Sequence, residues 1–230
     1  VPIIIGESDP EGCAACLVEA YPQNNYRNGS MYASYTAASF ARKYDLAEAW
    51  GVNLKGAVTW AFEFENQPWF AGFRDLATNG VDKPVLNVFR MFGMMQGNRV
   101  GTSGGSGYYY MTIRDSSVRG KKPDINALAT KDNKSASVLV WNYHDVNEIL
   151  PPSGVKVRVT GFPVDQVKLS HYRIDQEFSN SYEVWKKMGS PQKPTAVQYA
   201  ELEKAGQLQL LKEPEMVKVT NGEATIDFQL

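Results

Sequence analysis

The chain has 230 residues, with 24 basic and 25 acidic side chains that leave a formal net charge of −1 at pH 7. This mixed, near-neutral charge gives no footprint for nucleic acid or for an acidic membrane surface, and neither is expected as a partner. The apolar runs have the length of strands, so no membrane span is predicted, and the length allows one large domain or two small ones.

The first segment predicts a strand, a long polar loop and a helix. Ile3 to Ile5 form a short apolar run, which is typical of a strand buried on both faces. The segment from residue 12 to residue 30 is polar and rich in Asn and Gly, and it indicates a functional loop. Apolar residues at helical spacing follow, with candidate caps at residues 28–30, and Gly51 ends this predicted helix.

The next segment repeats the same order of elements. The sequence LKGAVTWAFEFE predicts a second apolar strand that ends in acidic residues, and the aromatic loop NQPWFAGFRD follows it. The sequence KPVLNVFRMFGMM then predicts a helix with Pro84 in its first turn. Two consecutive units of strand, loop and helix favour a parallel α/β architecture over residues 1–100.

After the Gly/Ser-rich stretch GTSGGSG, the pattern changes to the period of β-strands. Six segments alternate apolar and polar residues between turns such as PPSG and TNG: ASVLVWNY, VKVRVT, DQVKLSHYRID, QLQLL, MVKVT and EATIDFQL. This pattern predicts an antiparallel β-sandwich over residues 101–230.

Two short helices are predicted within the sandwich. One covers residues 181–188 and stops at Gly189. The other follows Thr195, which forms a capping box with Gln198, and it ends at Gly206.

Acidic residues follow both predicted parallel strands. Glu7 comes directly after the first strand, and Glu63 and Glu65 lie at the end of the second. Catalytic side chains of α/β barrels lie at the carboxyl ends of the strands, and glycoside hydrolysis needs two carboxyl groups that flank the scissile bond. The spacing alone leaves open that Glu7 instead caps a turn or pairs with an arginine.

Four long strings carry a resemblance to the C-terminal half of the β-xylosidases of glycoside hydrolase family 39. They begin GESDPEGCAAC, YPQNNYRNGSMYAS, LKGAVTWAFEFENQPWF and HYRIDQEFSNSYEVW, and together they cover nearly the whole chain. The resemblance implies the last two βα units of a (β/α)8 (TIM) barrel, strands seven and eight with their helices, followed by an antiparallel β-sandwich. It also implies a retaining mechanism in which Glu7 is the nucleophile.

The implied reaction releases xylose from the non-reducing ends of xylo-oligosaccharides. In the family, the general acid/base comes from the end of strand four, a segment that this sequence does not contain. We therefore expect the 230-residue chain alone to be inactive or very weak. The resemblance makes Glu63 and Glu65 candidates for binding substrate hydroxyls, without deciding which one faces the pocket. Unpaired strand edges predict an oligomer or association with a missing N-terminal half.

Aromatic residues and one arginine complete the candidate site. Trp60 is a candidate platform for the sugar ring, with core packing as the alternative. Trp69 and Phe70 are candidates to line the pocket mouth, with two alternatives: they cover the barrel rim, or they meet a partner subunit. Arg74 is the one cation near the predicted site, and an α-L-iduronidase-like reaction on a sugar with a carboxylate is the alternative within the family. A non-catalytic sandwich for assembly or carbohydrate binding is the alternative outside it.

No metal or cofactor is expected. Cys13 and Cys16 have CxxC spacing, but no second pair or nearby histidine completes a zinc site, so a loop disulfide or two free thiols are favoured. His144 and His171 lie in strand-like sequence and are expected to be structural or to face solvent, with an approach of His144 to the barrel interface as the alternative. The cysteine count slightly favours a cytoplasmic location, with secretion as the alternative. Val1 begins the sequence without a methionine or a basic leader, which fits an excised piece as well as a mature protein.

Overall fold

The structure is a computed structural model that describes residues 1–230. The first part contains β1 (Ile3–Ile5), a 3₁₀ helix (Pro22–Asn28), α1 (Ser30–Ala49), β2 (Leu54–Ala57), β3 (Ala77–Thr78), β4 (Val81–Asp82) and α2 (Pro84–Met94). The second part contains β5 (Asn98–Val100), α3 (Tyr110–Ser116), β6 (Gly120–Lys131), β7 (Ala136–Asp145), β8 (Gly154–Thr160), β9 (Gln166–Leu169), β10 (Tyr172–Arg173), α4 (Ser181–Lys187), α5 (Ala196–Gly206), β11 (Gln209–Leu210), β12 (Glu215–Lys218) and β13 (Glu223–Gln229). No helix has both the length and the apolar character that a membrane span requires.

The first two strands pair in parallel, as the sequence predicts. Ile3 of β1 lies opposite Leu54 of β2, and Ile5 lies opposite Ala57. The prediction that β1 is buried on both faces is wrong, since Ile3 is exposed and 70% of the surface of Ile4 is accessible. The reason is that neither hydrophobic cluster of the core includes a side chain of β1, so the faces of this two-stranded sheet are not covered there.

Helix α1 has the predicted extent, and its N-cap is Gly29, one of the three candidate caps. Gly29 provides no side-chain hydrogen bond, while Gly51 just after the helix has a positive φ of 61°. The buried side chain of Asn28 donates to the carbonyl of Phe70 (2.8 Å) and accepts from the N–H of Gly72 (3.1 Å). Asn28 therefore fixes the loop after β2 instead of capping α1.

A row of alanines packs α1 against the sheet of the second part. Ala33, Ala37 and Ala41 repeat every four residues on one face of the helix, and they contact Leu128 and Trp141 of β6 and β7 in one hydrophobic cluster. Small side chains let the helix approach the sheet closely. This core joins residues on both sides of the predicted boundary at residue 100.

All strands of the second part pair antiparallel, as predicted. The order β5–β6–β7 forms a three-stranded sheet, and β8 pairs with β13, β9 with β12, and β10 with β11. Helices α4 and α5 occur where the sequence predicts them, and the capping box of Thr195 and Gln198 is present. The sequence analysis missed β5, β6 and α3.

Candidate active site

Glu7 lies at the carboxyl end of β1, beside the carboxyl end of β2. Pairing continues past the two strands: Val58 donates its N–H to the carbonyl of Ile5 (3.0 Å), and Ser8 donates to the carbonyl of Val58 (2.9 Å). These bonds fix the backbone on both sides of Glu7. The Glu7 side chain remains 43% exposed, so its carboxylate is accessible from solvent.

Arg74 binds the carboxylate of Glu7. Its Nη2 donates to Oε1 of Glu7 at 2.5 Å, and its Nη1 lies 3.6 Å from Oδ2 of Asp9. The Arg74 side chain is only 6% exposed. One buried guanidinium group therefore lies between two carboxylates, and it forms a charge-assisted hydrogen bond with Glu7 and an ion pair with Asp9.

Asp9 is itself held by two hydroxyl groups. Its Oδ1 accepts from Thr59 (2.6 Å) and from Tyr32 (3.2 Å), and its side chain is 1% exposed. Burial, and then the charge of Asp9, raise the pKa of Tyr32, so this hydroxyl stays protonated and donates at neutral pH. The sequence analysis missed Asp9, Thr59 and Tyr32, because they come from a loop, a strand end and a helix that are far apart in the sequence. The one signal in the sequence was that Asp9 follows Glu7 by two residues.

Trp60 follows β2 and lies next to this group. The Cζ atom of Arg74 is 5.8 Å from the centre of the Trp60 ring, within the range of a cation–π interaction. The ring is 50% exposed. The structure thus brings together Glu7, Arg74 and Trp60, and it leaves part of the Trp60 ring open.

The other predicted acidic residues lie in a different environment. Oε1 of Glu63 accepts from the N–H of Gly80 (2.9 Å), so Glu63 supports the turn between β3 and β4. Glu65 is exposed. Both border a shallow depression with Phe64 and Asn66, and neither makes a hydrogen bond or ion pair with Glu7 or Arg74.

Trp69 and Phe70 lie in the core. Both are buried in a cluster with residues of β4, α4 and α5: Val81, Tyr182, Trp185 and Leu202. The Phe70 ring centre is 4.9 Å from that of Trp185, and the Trp69 ring meets Tyr199 edge-on at 6.0 Å. This corrects the expectation that Trp69 and Phe70 line the pocket mouth, because both side chains are buried among core residues and are not accessible to a sugar.

A disulfide loop supports the segment that carries Arg74. Cys13 and Cys16 are bonded, with their Cα atoms 5.5 Å apart. The buried guanidinium of Arg27 donates to the carbonyls of Gly12 (3.2 Å), Cys13 (3.1 Å) and Gly72 (3.4 Å). Within the disulfide loop, the carbonyl of Ala14 accepts from the N–H of Arg74 (2.8 Å).

The two histidines lie in the antiparallel part of the chain. His144 is in β7, and the ring of His171 meets Phe228 edge-on at 4.8 Å. Burial lowers the pKa of both histidines. No group of three or more His, Cys, Asp or Glu side chains is arranged to hold a metal ion.

The fold and the site define a class of protein. An accessible carboxylate at the carboxyl end of a parallel strand is a group that glycoside hydrolases use in catalysis. The model of the family "Glycosyl hydrolases family 39" matches residues 1–216. The chain belongs to this family.

Comparison with curated proteins and with solved structures agrees with this assignment. A β-xylosidase from Caldicellulosiruptor saccharolyticus is 24% identical over 163 residues, which cover 71% of this chain and 30% of that protein. The chain thus spans less than a third of the length of this relative.

Three solved structures share the fold over the entire chain. They are a family 39 enzyme from Xanthomonas axonopodis pv. citri (TM-score 0.72, 16% identity, 42% of that chain) and a monomeric β-xylosidase from Caulobacter crescentus CB15 (0.72, 18%, 43%). The third is a bacterial orthologue of human α-L-iduronidase (0.70, 18%, 40%). This chain spans about two fifths of each.

Proposed function

We propose that this chain is the nucleophile-bearing part of a retaining β-xylosidase that releases xylose from the non-reducing ends of xylo-oligosaccharides. The observation that carries the proposal is the position of Glu7: its carboxylate follows a parallel strand, and it stays 43% exposed although it pairs with Arg74. The family assignment and the β-xylosidase relative support the same reaction.

We further propose that β1 and β2 correspond to strands seven and eight of a (β/α)8 barrel. Apart from the candidate platform Trp60, four apolar side chains along or just after this strand pair are exposed: Ile3, Ile4, Val58 and Phe62. A group of exposed apolar side chains of this kind indicates an interaction site. The missing strands of a longer enzyme, or a second copy of the chain, would cover it.

In the proposed reaction, the Glu7 carboxylate attacks the anomeric carbon of the terminal xylose. The bond to the leaving oxygen breaks, a second carboxyl group protonates that oxygen, and an ester between Glu7 and the sugar forms. Water, activated by the second carboxyl group, then hydrolyses this ester with retention of configuration.

We assign the second carboxyl group to a segment outside this chain. Asp9 accepts two hydrogen bonds and is buried, and Glu63 accepts from the backbone of Gly80, so both carboxylates already act as acceptors. Loss of general acid catalysis lowers rates by about 10²- to 10⁴-fold. The chain alone should therefore hydrolyse unsubstituted xylobiose very slowly, and full turnover would contradict this part of the proposal.

An activated inhibitor tests the role of Glu7 without the missing acid. A 2,4-dinitrophenyl 2-deoxy-2-fluoro-β-xyloside has a leaving group that departs without a proton. We expect one fluoroxylosyl group per chain, located on Glu7 by mass spectrometry of the digested protein. Glu7→Gln should abolish the label, whereas Glu213→Gln, a change of equal size at an exposed carboxylate in the antiparallel part of the chain, should keep it.

The position of Arg74 favours a neutral sugar over the α-L-iduronidase-like alternative. Its guanidinium already neutralises part of the charge of two carboxylates, Glu7 and Asp9, so a substrate carboxylate would compete with them. Faster cleavage of an aryl α-L-iduronide than of the matching aryl β-xyloside would reverse this preference. Binding of xylotriose without labelling of Glu7 would favour the non-catalytic carbohydrate-binding alternative.

The disulfide supports secretion over the cytoplasmic alternative. Disulfides form and persist in oxidising compartments, and Cys13 and Cys16 are the only cysteines of the chain. Alkylation of the protein in its native source, followed by mass spectrometry of the peptide that contains Cys13 and Cys16, should find these two cysteines joined. Two alkylated cysteines in this peptide would support the cytoplasm.

A further inference from the structure

We infer that Arg74 is a positioning residue that holds the Glu7 carboxylate and the Trp60 ring in one fixed arrangement. The inference deepens the proposed function, and it rests on Glu7 being the nucleophile. It assigns to Arg74 a role in orienting the reacting group instead of binding a charged substrate.

The first step of the argument is the geometry of the guanidinium group. Its Nη2 donates to Glu7 at 2.5 Å, and its Nη1 lies 3.6 Å from Oδ2 of Asp9, which is the distance of an ion pair without a hydrogen bond. The group is planar and rigid and its side chain is only 6% exposed, so the hydrogen bond to Glu7 together with the charge of Asp9 favours one orientation. A lysine at this position has a single ammonium group on a flexible stem and cannot reproduce this fork.

The second step is that Asp9 is anchored. Thr59 and Tyr32 both donate to its Oδ1, and Asp9 is buried. Thr59 directly precedes Trp60 at the end of β2. A continuous series of contacts therefore runs from the end of β2 through Asp9 and Arg74 to Glu7 at the end of β1.

The third step is the contact with Trp60. The guanidinium lies 5.8 Å from the centre of this half-exposed ring and 2.5 Å from Glu7. One side chain thus touches both the nucleophile and the platform, so a shift of Arg74 displaces the two together. Two carboxylates around one cation also leave a net negative charge, which favours the positively charged, oxocarbenium-like transition state.

The first test does not depend on activity. The five tryptophans are labelled with 5-fluorotryptophan, and the ¹⁹F resonance of Trp60 is assigned with Trp60→Phe. We expect Arg74→Met to move the Trp60 resonance, and we expect Glu7→Gln to move it only when Arg74 is present. Arg74→Lys, which keeps the charge, covers the case in which the Met variant does not fold.

A matched control is available at another arginine–tryptophan pair. The Cζ atom of Arg114 lies 5.9 Å from the centre of the Trp50 ring, on the exposed surface. Arg114→Met should move the Trp50 resonance and leave that of Trp60 unchanged. A Trp60 resonance that does not respond to Arg74, or that responds equally to Glu7→Gln with and without Arg74, would overturn the inference.

The second test separates positioning from binding. Inactivation by the fluoroxyloside gives a saturation constant KI and a limiting rate kinact. In Arg74→Met we expect kinact to fall about 10- to 100-fold, the effect of a small misplacement of a reacting group, with KI nearly unchanged. Arg74→Lys should recover part of the loss, and Arg114→Met should match the unmodified chain.

The two proposals fail in different ways. If the unmodified chain is not labelled but the Trp60 resonance behaves as expected, the positioning contact is present and the role of Glu7 as nucleophile is wrong. If Glu7 is labelled and Arg74→Met leaves kinact unchanged, the role of Glu7 stands and the role of Arg74 is wrong.

Discussion

Arg27 is one of the largest fully buried side chains of the protein, and its guanidinium organises the loop beside the site. It donates to three backbone carbonyls, those of Gly12, Cys13 and Gly72, and lies 3.5 Å from the half-exposed carboxylate of Glu11. Backbone carbonyls in an irregular loop have no hydrogen-bond partner in a strand or helix, so the guanidinium of Arg27 supplies the donors that these carbonyls need.

Arg27→Met should destabilise the protein strongly. The change keeps the length of the side chain but leaves buried carbonyls unpaired, which costs about 2–3 kcal/mol of unfolding free energy. Urea denaturation measures this. The control Arg119→Met removes an arginine whose side chain is 75% exposed, and it should change stability by less than about 0.5 kcal/mol. Equal effects of the two substitutions would contradict the structural role of Arg27.

His171 gives the stability a dependence on pH. Burial lowers its pKa in the folded protein, so below about pH 6.5 the unfolded chain binds a proton more readily than the folded one. Its contribution is therefore present at neutral pH and decreases as the pH falls. The melting temperature should drop between pH 7 and pH 5.5, and the drop should be smaller in His171→Gln. An equal drop in both proteins would exclude this residue as a source.

At the scale of elements, the end of α5 packs directly on β4. A Cβ atom added at Gly206 would lie 2.8 Å from the carbonyl oxygen of Asp82. Asn87 of α2 donates to the carbonyl of Gly206 at 2.7 Å, and Ser181 of α4 donates its hydroxyl to the carbonyl of Asp82 at 2.5 Å. Four elements therefore meet where a glycine permits the contact.

Gly206→Ala should lower stability by about 1–3 kcal/mol, because the methyl group overlaps with the backbone of Asp82. Gly93→Ala is the matched control, because the added Cβ atom within α2 meets nothing within 4 Å. There the higher helix propensity of alanine should raise stability by up to about 1 kcal/mol. Thermal unfolding should show a lower melting temperature for Gly206→Ala and a higher one for Gly93→Ala. A change of the same sign in both variants would contradict the close contact.

The disulfide loop should control the mobility of the segment around Arg74. Closing a loop of this length stabilises by about 2 kcal/mol in the chain-entropy description. After reduction, the amide of Arg74, which donates to Ala14, and that of Val18, which donates to Ala71, should exchange hydrogen faster. The amide of Tyr199 in α5 should not change. Unaltered exchange at Arg74 would mean that the loop is held by Arg27 alone.

At the scale of the whole molecule, the two halves of the chain share a core and a buried ion pair. Arg42 of α1 donates two hydrogen bonds of 2.6 Å to Asp124 of β6, and the indole of Trp141 donates to the same carboxylate at 3.3 Å. The interface between the helices and the antiparallel sheet is therefore part of the folding core.

We accordingly expect one cooperative unfolding transition. Tryptophan fluorescence and far-ultraviolet circular dichroism should give the same midpoint. Asp124→Asn should lower stability by about 3–5 kcal/mol, since it leaves Arg42 buried without a counter-charge, and the two midpoints should still coincide. Two separate transitions would contradict a shared core.

Local sequence patterns predicted most elements. The strands with regular alternation, such as β7 and β13, and the capped helix α5 follow from side-chain periodicity and from hydrogen bonds within a few residues. In contrast, β6 contains Pro123, charged residues and an irregular register, and β5 is a strand because β6 pairs with it. Such pairing is not encoded within the segment itself.

The sequence by itself determined the parallel strand pair, the antiparallel second half, the family and the position of Glu7 at a strand end. These follow from local patterning and from long strings of residues that resemble a known family. The tertiary structure alone decided that Arg74 pairs with Glu7, that Asp9 lies beside Arg74, and that Trp69 and Phe70 pack in the core. Contacts across 50 or more residues, such as Thr59 with Asp9 and Arg74 with Glu7, depend on how the chain folds back on itself.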